Sequence, residues 1–588
     1  MPGNTRTPRE GEVYPVPDGP HRAHTPNRRR APARQTRADP WQAPRDPWDT
    51  GGWFGPLTED PAIAGGKQPD APPSRGLAYV LSTRRWPIVI ILLIQAALSV
   101  RLCWSNTDFQ DEGLYLSAGY LQLGHHAQLA QMQQLQIWFS GSPAIYPRLG
   151  ALAAQHGGLA GARLLSLVFM LLATAAVYAM TCRLWWSRVP AAFAAALFGW
   201  LGSTQFLGAL ATFDAMSLAL LALATWLGVR AVPCRAPVRY LLLAAAAALL
   251  LSASATKYMS LLYAPVVIAV VSLTMWRVRG WASAFASGLV MTAATVLLVL
   301  FAYRRSGGYY TAGIKFSTLN RTVGTYSAQQ AFAASGRWIG LLVALAFVAA
   351  IAMTWRHRDA ATALLAWVLA GAALLAPVQE ARLHTTVSLY KHVGFGTWFA
   401  CAAAGWLLAN GFEAYERGSI PKLRRLWLGA AIAALAAAIG VVTAGTQYHD
   451  WPNSSAATAE LTGLVRPHGE YLAEDYDQFT YALRGSVPMS EWCNTWSFSY
   501  TDPKTRKRLE NSAAYAAAIR SRYFSVIILD FQDTVTTDKA IEQDIKKRHD
   551  YRLIATIPFT TSAGPGDYLV WVPTTPKPLA RHRRRRAS

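Results

Sequence analysis

Apolar residues run through this chain in long blocks rather than in strict alternation. WPIVIILLIQAALSVRLCW opens the series at 86–104, and further blocks follow at 161–183, 190–211, 213–230, 239–256, 258–276, 281–303, 338–355, 360–378, 393–412 and 426–446. Each is close to the ~20 residues that a helix needs to cross ~30 Å of hydrocarbon. The pattern predicts a polytopic α-helical membrane protein with about eleven transmembrane helices. The tightest connection falls at Thr256 and Lys257, which must turn the chain between two spans. Residues 128–158 carry an amphipathic pattern interrupted by Pro143 and Pro147. They predict an interfacial segment rather than a span.

Outside the blocks the pattern changes twice. Residues 1–76 are rich in Pro, Arg, Gly and polar side chains, with NRRRAPAR at their basic centre. Such a segment cannot bury enough apolar surface to fold alone and is expected to be a disordered cytoplasmic tail. From 448 to 574 the chain turns polar. YLAED, SVIILDF, YRLIATI and YLVWV read as strands, and NSAAYAAAIRSRY and TDKAIEQDIKKRH read as helices between them. The alternation predicts a small α/β domain outside the membrane. Residues 575–588 end in RHRRRR, a basic tail suited to an anionic surface such as membrane lipid. The region 77–447 is then the transmembrane domain.

Composition agrees with the pattern: 588 residues, 52% hydrophobic and only 15% charged. The net charge of +23 sits largely in the tails and in short loops, so it sets orientation and does not signal nucleic acid. Arg183, Arg188, Arg230, Arg235, Arg239, Arg277, Arg279, Arg356, Arg358, Lys422, Arg424 and Arg425 lie at one set of span ends; the other set carries fewer cations. The bias predicts a multi-pass plasma-membrane protein with its N-terminus in the cytoplasm and the C-terminal domain extracytoplasmic. The five cysteines are scattered, with no CxxC and no disulfide framework.

The candidate chemistry gathers on the expected outer side. NTDFQDEGLYLSAGYLQLGHH, at 106–126, follows the first span and holds Asp108, Asp111 and Glu112 within five positions. Each charge would cost several kcal/mol in hydrocarbon, so the three belong to a water interface or a polar cavity. The stretch reads as a short loop that delivers acids to the mouth of a helical bundle, followed by a helix along the membrane surface. An ordinary solvated loop fits the same residues. Asp214 opens a span, where the helix dipole favours it; a capping role is the alternative. Lys257 stands alone in an apolar run, which marks a functional cation or a side chain that snorkels to the interface. VQEARLHTTVSLYKHVGFGTWF brings Glu380, Arg382, His384, Lys391 and His392 ahead of another span. These suit a phosphate group, or plain interfacial anchoring. The loop YRRSGGYYTAGIKF, with Tyr309 and Tyr310, suits stacking on sugar faces or an aromatic belt.

Taken in order, four of these stretches resemble the GT-C superfamily of integral-membrane glycosyltransferases, in the branch of the protein mannosyltransferases and the bacterial aminoarabinose transferase. DFQDEGLYLSAG matches the acidic loop after the first span. SPAIYPRLGALAAQHGGLAGARLLSLVF is similar to the lead into the second. TFDAMSLALLALATWL places an Asp at the start of a span, and SASATKYMSLLYAPVVI resembles the Thr-Lys turn between two spans. VSLYKHVGFGTWFACAAAG is similar to actinobacterial members. The resemblance covers roughly residues 80–450.

The resemblance implies a GT-C-like fold and sugar transfer, with inversion, from a polyprenyl-phosphate sugar to an acceptor hydroxyl on the outer face. It implies Asp111 as general base, with Glu112 and Asp214 as supporting catalytic residues. Lys257, Arg382, Lys391 and His392 are implied at the donor phosphate. Asp108, Tyr309 and Tyr310 are candidate acceptor or sugar contacts. Some branches use a metal and others do not, so a Mg or Mn ion held by Asp111 and Glu112 stands beside a metal-free mechanism. The donor sugar is a hexose or a pentose, and the acceptor a glycan, protein or lipid. A polytopic transporter with an external binding domain is the competing class, but the hydropathy shows no inverted halves.

Overall fold

The computed structural model describes residues 86–124, 138–305, 313–319, 323–357, 359–410 and 422–575. Tyr309, Tyr310, the N-terminal tail and the terminal RHRRRR lie outside them. Among the described residues nine helices are long and apolar enough to cross a membrane, and Trp86–Val100 and Arg188–Gly199 are shorter apolar helices.

The chain opens with α1 (Trp86–Val100), a short connection, and α2 (Gln110–Leu123). Here the expected loop is corrected: Asp111 and Glu112 occupy the first turn of α2 rather than a loop. Acidic side chains are favoured there by the exposed N–H groups and the helix dipole. Nor does α2 lie free on a surface. Residues 112–119 are buried, packed between α3 (Tyr146–Trp185) and a helix of the C-terminal domain.

Helix α3 also departs from expectation. Pro147 does not interrupt a helix but begins one, because its fixed φ suits the first helical position. The break comes at Gly157–Gly158, where Gly158 takes φ 60°. That left-handed geometry costs glycine little and other residues more. The predicted block 190–211 likewise divides into α4 (Arg188–Gly199) and α5 (Gly202–Leu207), with Leu201 extended between them.

Helices α6 (Phe213–Arg230) and α7 (Ala236–Thr256) pack closely. At Lys257 the chain becomes extended (φ −145°, ψ 124°), then makes a 3₁₀ turn, Tyr258–Tyr263, before α8 (Ala264–Arg279). The freed backbone is satisfied by the segment ahead of α3: the Ser142 N–H donates to Ala255 O at 2.8 Å, and the Tyr258 N–H to Ser140 O at 2.8 Å. This is how the tight turn at Thr256 and Lys257 is tolerated. Then come α9 (Trp281–Arg305), α10 (Ala328–Arg356), α11 (Ala360–Gly371), α12 (Leu375–Arg382), α13 (Leu389–Asn410) and α14 (Lys422–Tyr448). A Ser327/Gln330 capping box starts α10 about ten residues before its apolar block. Residues 389–408 of α13 are buried throughout, so α13 is the central post of the bundle.

After α15 (Ser455–Leu464) the C-terminal region builds the α/β fold its pattern predicts. Its elements are β1 (Tyr471–Ala473), α16 (Tyr476–Ala482), β2 (Trp492–Cys493), β3 (Ser499–Thr501), β4 (Arg508–Glu510), α17 (Asn511–Arg520), β5 (Val526–Leu529), α18 (Val535–Arg548), β6 (Tyr551–Thr561) and β7 (Gly564–Pro573). The main sheet runs β2-β1-β5-β7-β6, with β2, β1 and β5 mutually parallel. On β5, Val526 and Ile528 join one core with Leu461 and Phe479, while Ile527 and Leu529 join another with Ile519 and Ile541. Both sheet faces are therefore covered, which is why VIIL is apolar throughout.

Candidate active site

Four acid–base pairs join the ends of these helices. Glu112 and Arg163 form the first. Every guanidinium N–H of Arg163 is used: Nε donates to Glu112 Oε1 at 2.9 Å and Nη2 to Oε2 at 2.7 Å, while the remaining bonds reach Cys103, Asn106 and Thr107 carbonyls at 2.8–2.9 Å. Glu112 also accepts from the Phe109 N–H at 2.9 Å and the Ala211 N–H at 2.6 Å. Both side chains are buried. This web ties the start of α2 to α3 and to the chain entering α6, and so fixes where Asp111 points.

Asp111 pairs with Lys391 of α13, and Asp214 pairs with Lys257. His392 meets Glu380, Nδ1 to Oε1, at 2.6 Å. Asp214 lies within electrostatic reach of Lys391 and His392 as well as Lys257. Aromatic rings enclose the cations: Lys257 Nζ stands 4.9 Å from the Phe213 ring centre and Lys391 Nζ 5.3 Å from that of Phe109. Each ring offers the cation a weak attraction in a dry setting. Tyr115 stacks on Phe213 at 4.3 Å.

Exposure separates the pairs. Glu112, Asp214 and Glu380 side chains are at most 1% exposed, whereas Asp111 is 25% exposed. Of these four carboxylates only Asp111 can be reached by a solvated group.

The C-terminal domain completes the rim. Helix α16 packs on α2, Ser117 Oγ and Thr480 Oγ1 are 3.3 Å apart, and the Arg484 guanidinium lies 4.6 Å from the Tyr120 ring centre. Gly113 sits against the Asp477 carbonyl and the Asp108 carboxylate, with no room for a side chain. Asp108 is buried with Oδ2 unpartnered; burial, then the neighbouring Glu112, pushes its pKa well above the usual carboxylate range. Burial, then Asp111, raises Asp477 to about 8.

The structure thus brings together Asp108, Asp111, Asp214, Lys257, Lys391 and His392. Arg382 is exposed and stands apart from these ion pairs. Glu112 lies beside Asp111 in sequence, but its oxygens face Arg163 and backbone N–H groups, so the two carboxylates do not converge on a common metal position. Among the described residues the carboxylates that do converge are Glu474, Asp530 and Asp538, in the C-terminal domain.

Arg163 and Asp477 are absent from the candidates read off the sequence. Arg163 carried a usable signal, because it is a lone cation within an apolar run, as Lys257 is. Asp477 carried none; only the docking of α16 brings it to α2.

No protein-family profile matches the chain, and no curated protein matches it by sequence. Solved structures do match by fold. ArnT from Cupriavidus metallidurans, in a structure bound to undecaprenyl phosphate, gives a TM-score of 0.55 at 12% identity, over 83% of this chain and 98% of that one. Its apo structure gives 0.52 at 14% identity. The oligosaccharyltransferase of Archaeoglobus fulgidus, in the apo form, gives 0.51 at 10% identity, over 83% of this chain and 74% of that one. The chain shares its fold with these structures.

Proposed function

We propose that this protein is an integral-membrane glycosyltransferase that moves a sugar from a polyprenyl-phosphate donor to an acceptor hydroxyl, with inversion, on the outer face of the plasma membrane. The observation that carries the reading is Asp111: a partly open carboxylate at a helix start, ion-paired to a buried lysine and backed by a second buried pair. Undecaprenyl phosphate in the ArnT structure supports the donor class, and the loop-charge bias supports the outer face.

In this reading Asp111 takes the proton of the acceptor hydroxyl as its oxygen attacks the anomeric carbon. The bond from that carbon to the phosphate oxygen breaks, and the polyprenyl phosphate leaves as an anion. Lys391 is the cation nearest the base. It moves from Asp111 toward the departing phosphate, which frees the base as the leaving group gains its counter-charge. Lys257 and His392 add positive field, and Asp214 and Glu380 hold them in place. Glu112, with Arg163, positions Asp111. Asp108 and Asp477, whose carboxyls burial keeps largely protonated, are assigned to the acceptor side, where a carboxylic acid can donate or accept a hydrogen bond.

The test is transfer by purified protein in liposomes, using the acceptor identified by mass analysis of envelope glycans and glycoproteins from a deletion strain. Asp111→Asn is expected to abolish transfer at normal expression, with the protein still unfolding cooperatively. Wild-type transfer by that variant removes Asp111 as the base.

A further inference from the structure

The C-terminal domain holds a second concentration of acid, made of residues that take no part in the ion pairs of the bundle. In the main sheet β1 lies between β2 and β5, all three parallel. The chain leaves β1 for β2 on one side and later returns to β5 on the other. Between β1 and β5 the order of strands reverses, and in open α/β sheets ligands bind beyond the carboxyl ends of the strands at such a point. Glu474 directly follows β1, and Asp530 directly follows β5. Asp538 comes from α18, the helix that β5 leads into. One carboxylate oxygen from each of these three lies within 4.8 Å of the others.

These acids gather without a cation. No described ion pair includes Glu474, Asp530 or Asp538, and Asp475 and Asp533 add two more acidic side chains beside them. Asp530 is 5% exposed, and its Oδ1 has no hydrogen-bond partner. A buried carboxylate oxygen left unsatisfied is costly. Backbone groups hold the other two in place. Glu474 accepts from the N–H groups of Gln532, Asp533 and Thr534, and Asp538 accepts from the Phe531 N–H at 3.3 Å and Thr534 Oγ1 at 3.1 Å. A carboxylate has about four acceptor positions, so these bonds orient the oxygens without using them up. A surface cavity lined by Thr495, Trp496, Asp533 and Thr534 lies on the loop whose N–H groups bind Glu474.

We propose that Glu474, Asp530 and Asp538 form a binding site for a hard divalent cation, calcium, magnesium or manganese, that fastens the carboxyl edge of β1 and β5 to the start of α18. The donor set is oxygen only, which suits these ions better than zinc or copper. Its three ligands do not include Asp111, and the proposal does not depend on the proposed transfer reaction.

The experiment uses the full chain in detergent after chelator treatment. Manganese binding is counted by electron paramagnetic resonance, and calcium and magnesium are titrated by calorimetry. Wild-type protein is expected to bind one ion per chain, with a rise in the thermal midpoint on addition. Asp530→Asn, which keeps shape and removes one charge, is expected to weaken binding at least tenfold. Asp538→Asn should do the same and serves if the first variant does not fold. Asp111→Asn is expected to bind as wild type. The proposal is overturned by no binding at millimolar ion, by unchanged binding in both C-terminal variants, by loss of binding in Asp111→Asn, or by a response to zinc alone.

Discussion

Replacing Arg163 with methionine removes the charge and all five guanidinium bonds while keeping much of the side-chain volume. Glu112 would then be a buried carboxylate with no counter-charge, and the Cys103, Asn106 and Thr107 carbonyls would each lose a donor. Breaking a buried pair from one side costs about 3–5 kcal/mol. At about 2.1 cal/mol/K of unfolding entropy per residue, a cooperative unit of about 500 residues carries about 1 kcal/mol/K, so the midpoint should fall by about 3–5 °C. The assay is thermal unfolding in detergent followed by tryptophan fluorescence. A double-mutant cycle with Glu112→Leu isolates the pair. The double variant should lose less than the sum of the single losses, because it leaves no orphaned charge. A midpoint within 1 °C of wild type for Arg163→Met, or strictly additive losses, would refute the reasoning that this web anchors α2.

Lys391→Ala should lower kcat/KM for the donor by about 10²-fold, the usual scale for losing one group that stabilises developing charge, with acceptor KM nearly unchanged; a purely acceptor-side defect contradicts its assignment to phosphate. Asp477 is raised to about 8 from an ordinary carboxylate value, so the folded state binds more protons than the unfolded state between about pH 4 and 8, and the folded state loses stability as pH rises through that window. Asp477→Asn, which resembles the protonated form, should match wild type near pH 4 and exceed it above pH 8 by up to about 5 kcal/mol, at about 1.4 kcal/mol per pKa unit; equal pH–stability curves would remove the effect. Gly113→Val should part α2 from α16, because a Cβ there meets the Asp477 carbonyl. The expected cost is about 1–3 kcal/mol, read as a lower thermal midpoint together with lost transfer.

The bundle and the sheet were legible for different reasons. Apolar blocks are a strong signal because a bilayer imposes one length, and VIIL, YRLIATI and YLVWV fell where β5, β6 and β7 form. Breaks were harder to place. Gly157–Gly158 and Trp200–Leu201 interrupt helices inside runs that remain apolar, and hydropathy does not register a change of φ. Asp108, Asp111, Asp214, Lys257 and Lys391 stood out because acids beside a span, and cations on the sparsely charged side, are rare. Their pairing was not legible, since it joins residues such as 111 and 391 across the whole bundle. Glu112 was read with Asp111 because they are neighbours in sequence, but successive helical residues point in different directions and meet different partners.

Pairing also divides scaffold from chemistry. An isolated charge in this setting would cost far more than any single contact returns, so a buried acid needs a base, a bound cation or its own proton whatever its task, and an ion pair alone does not mark a site. Accessibility adds the missing criterion. To exchange a protein partner for a ligand, a group must reach water without dismantling its surroundings. Glu112–Arg163 cannot do so: its five guanidinium bonds and two backbone donors would all have to break. Asp214–Lys257 is closed on both sides. In Asp111–Lys391 the lysine is buried and the acid is partly open, so an entering anion can take over the lysine while the acid turns to a hydroxyl. In the proposed reaction the ion pair that keeps the resting site neutral would make base and counter-charge available together, once a phosphate claims the lysine.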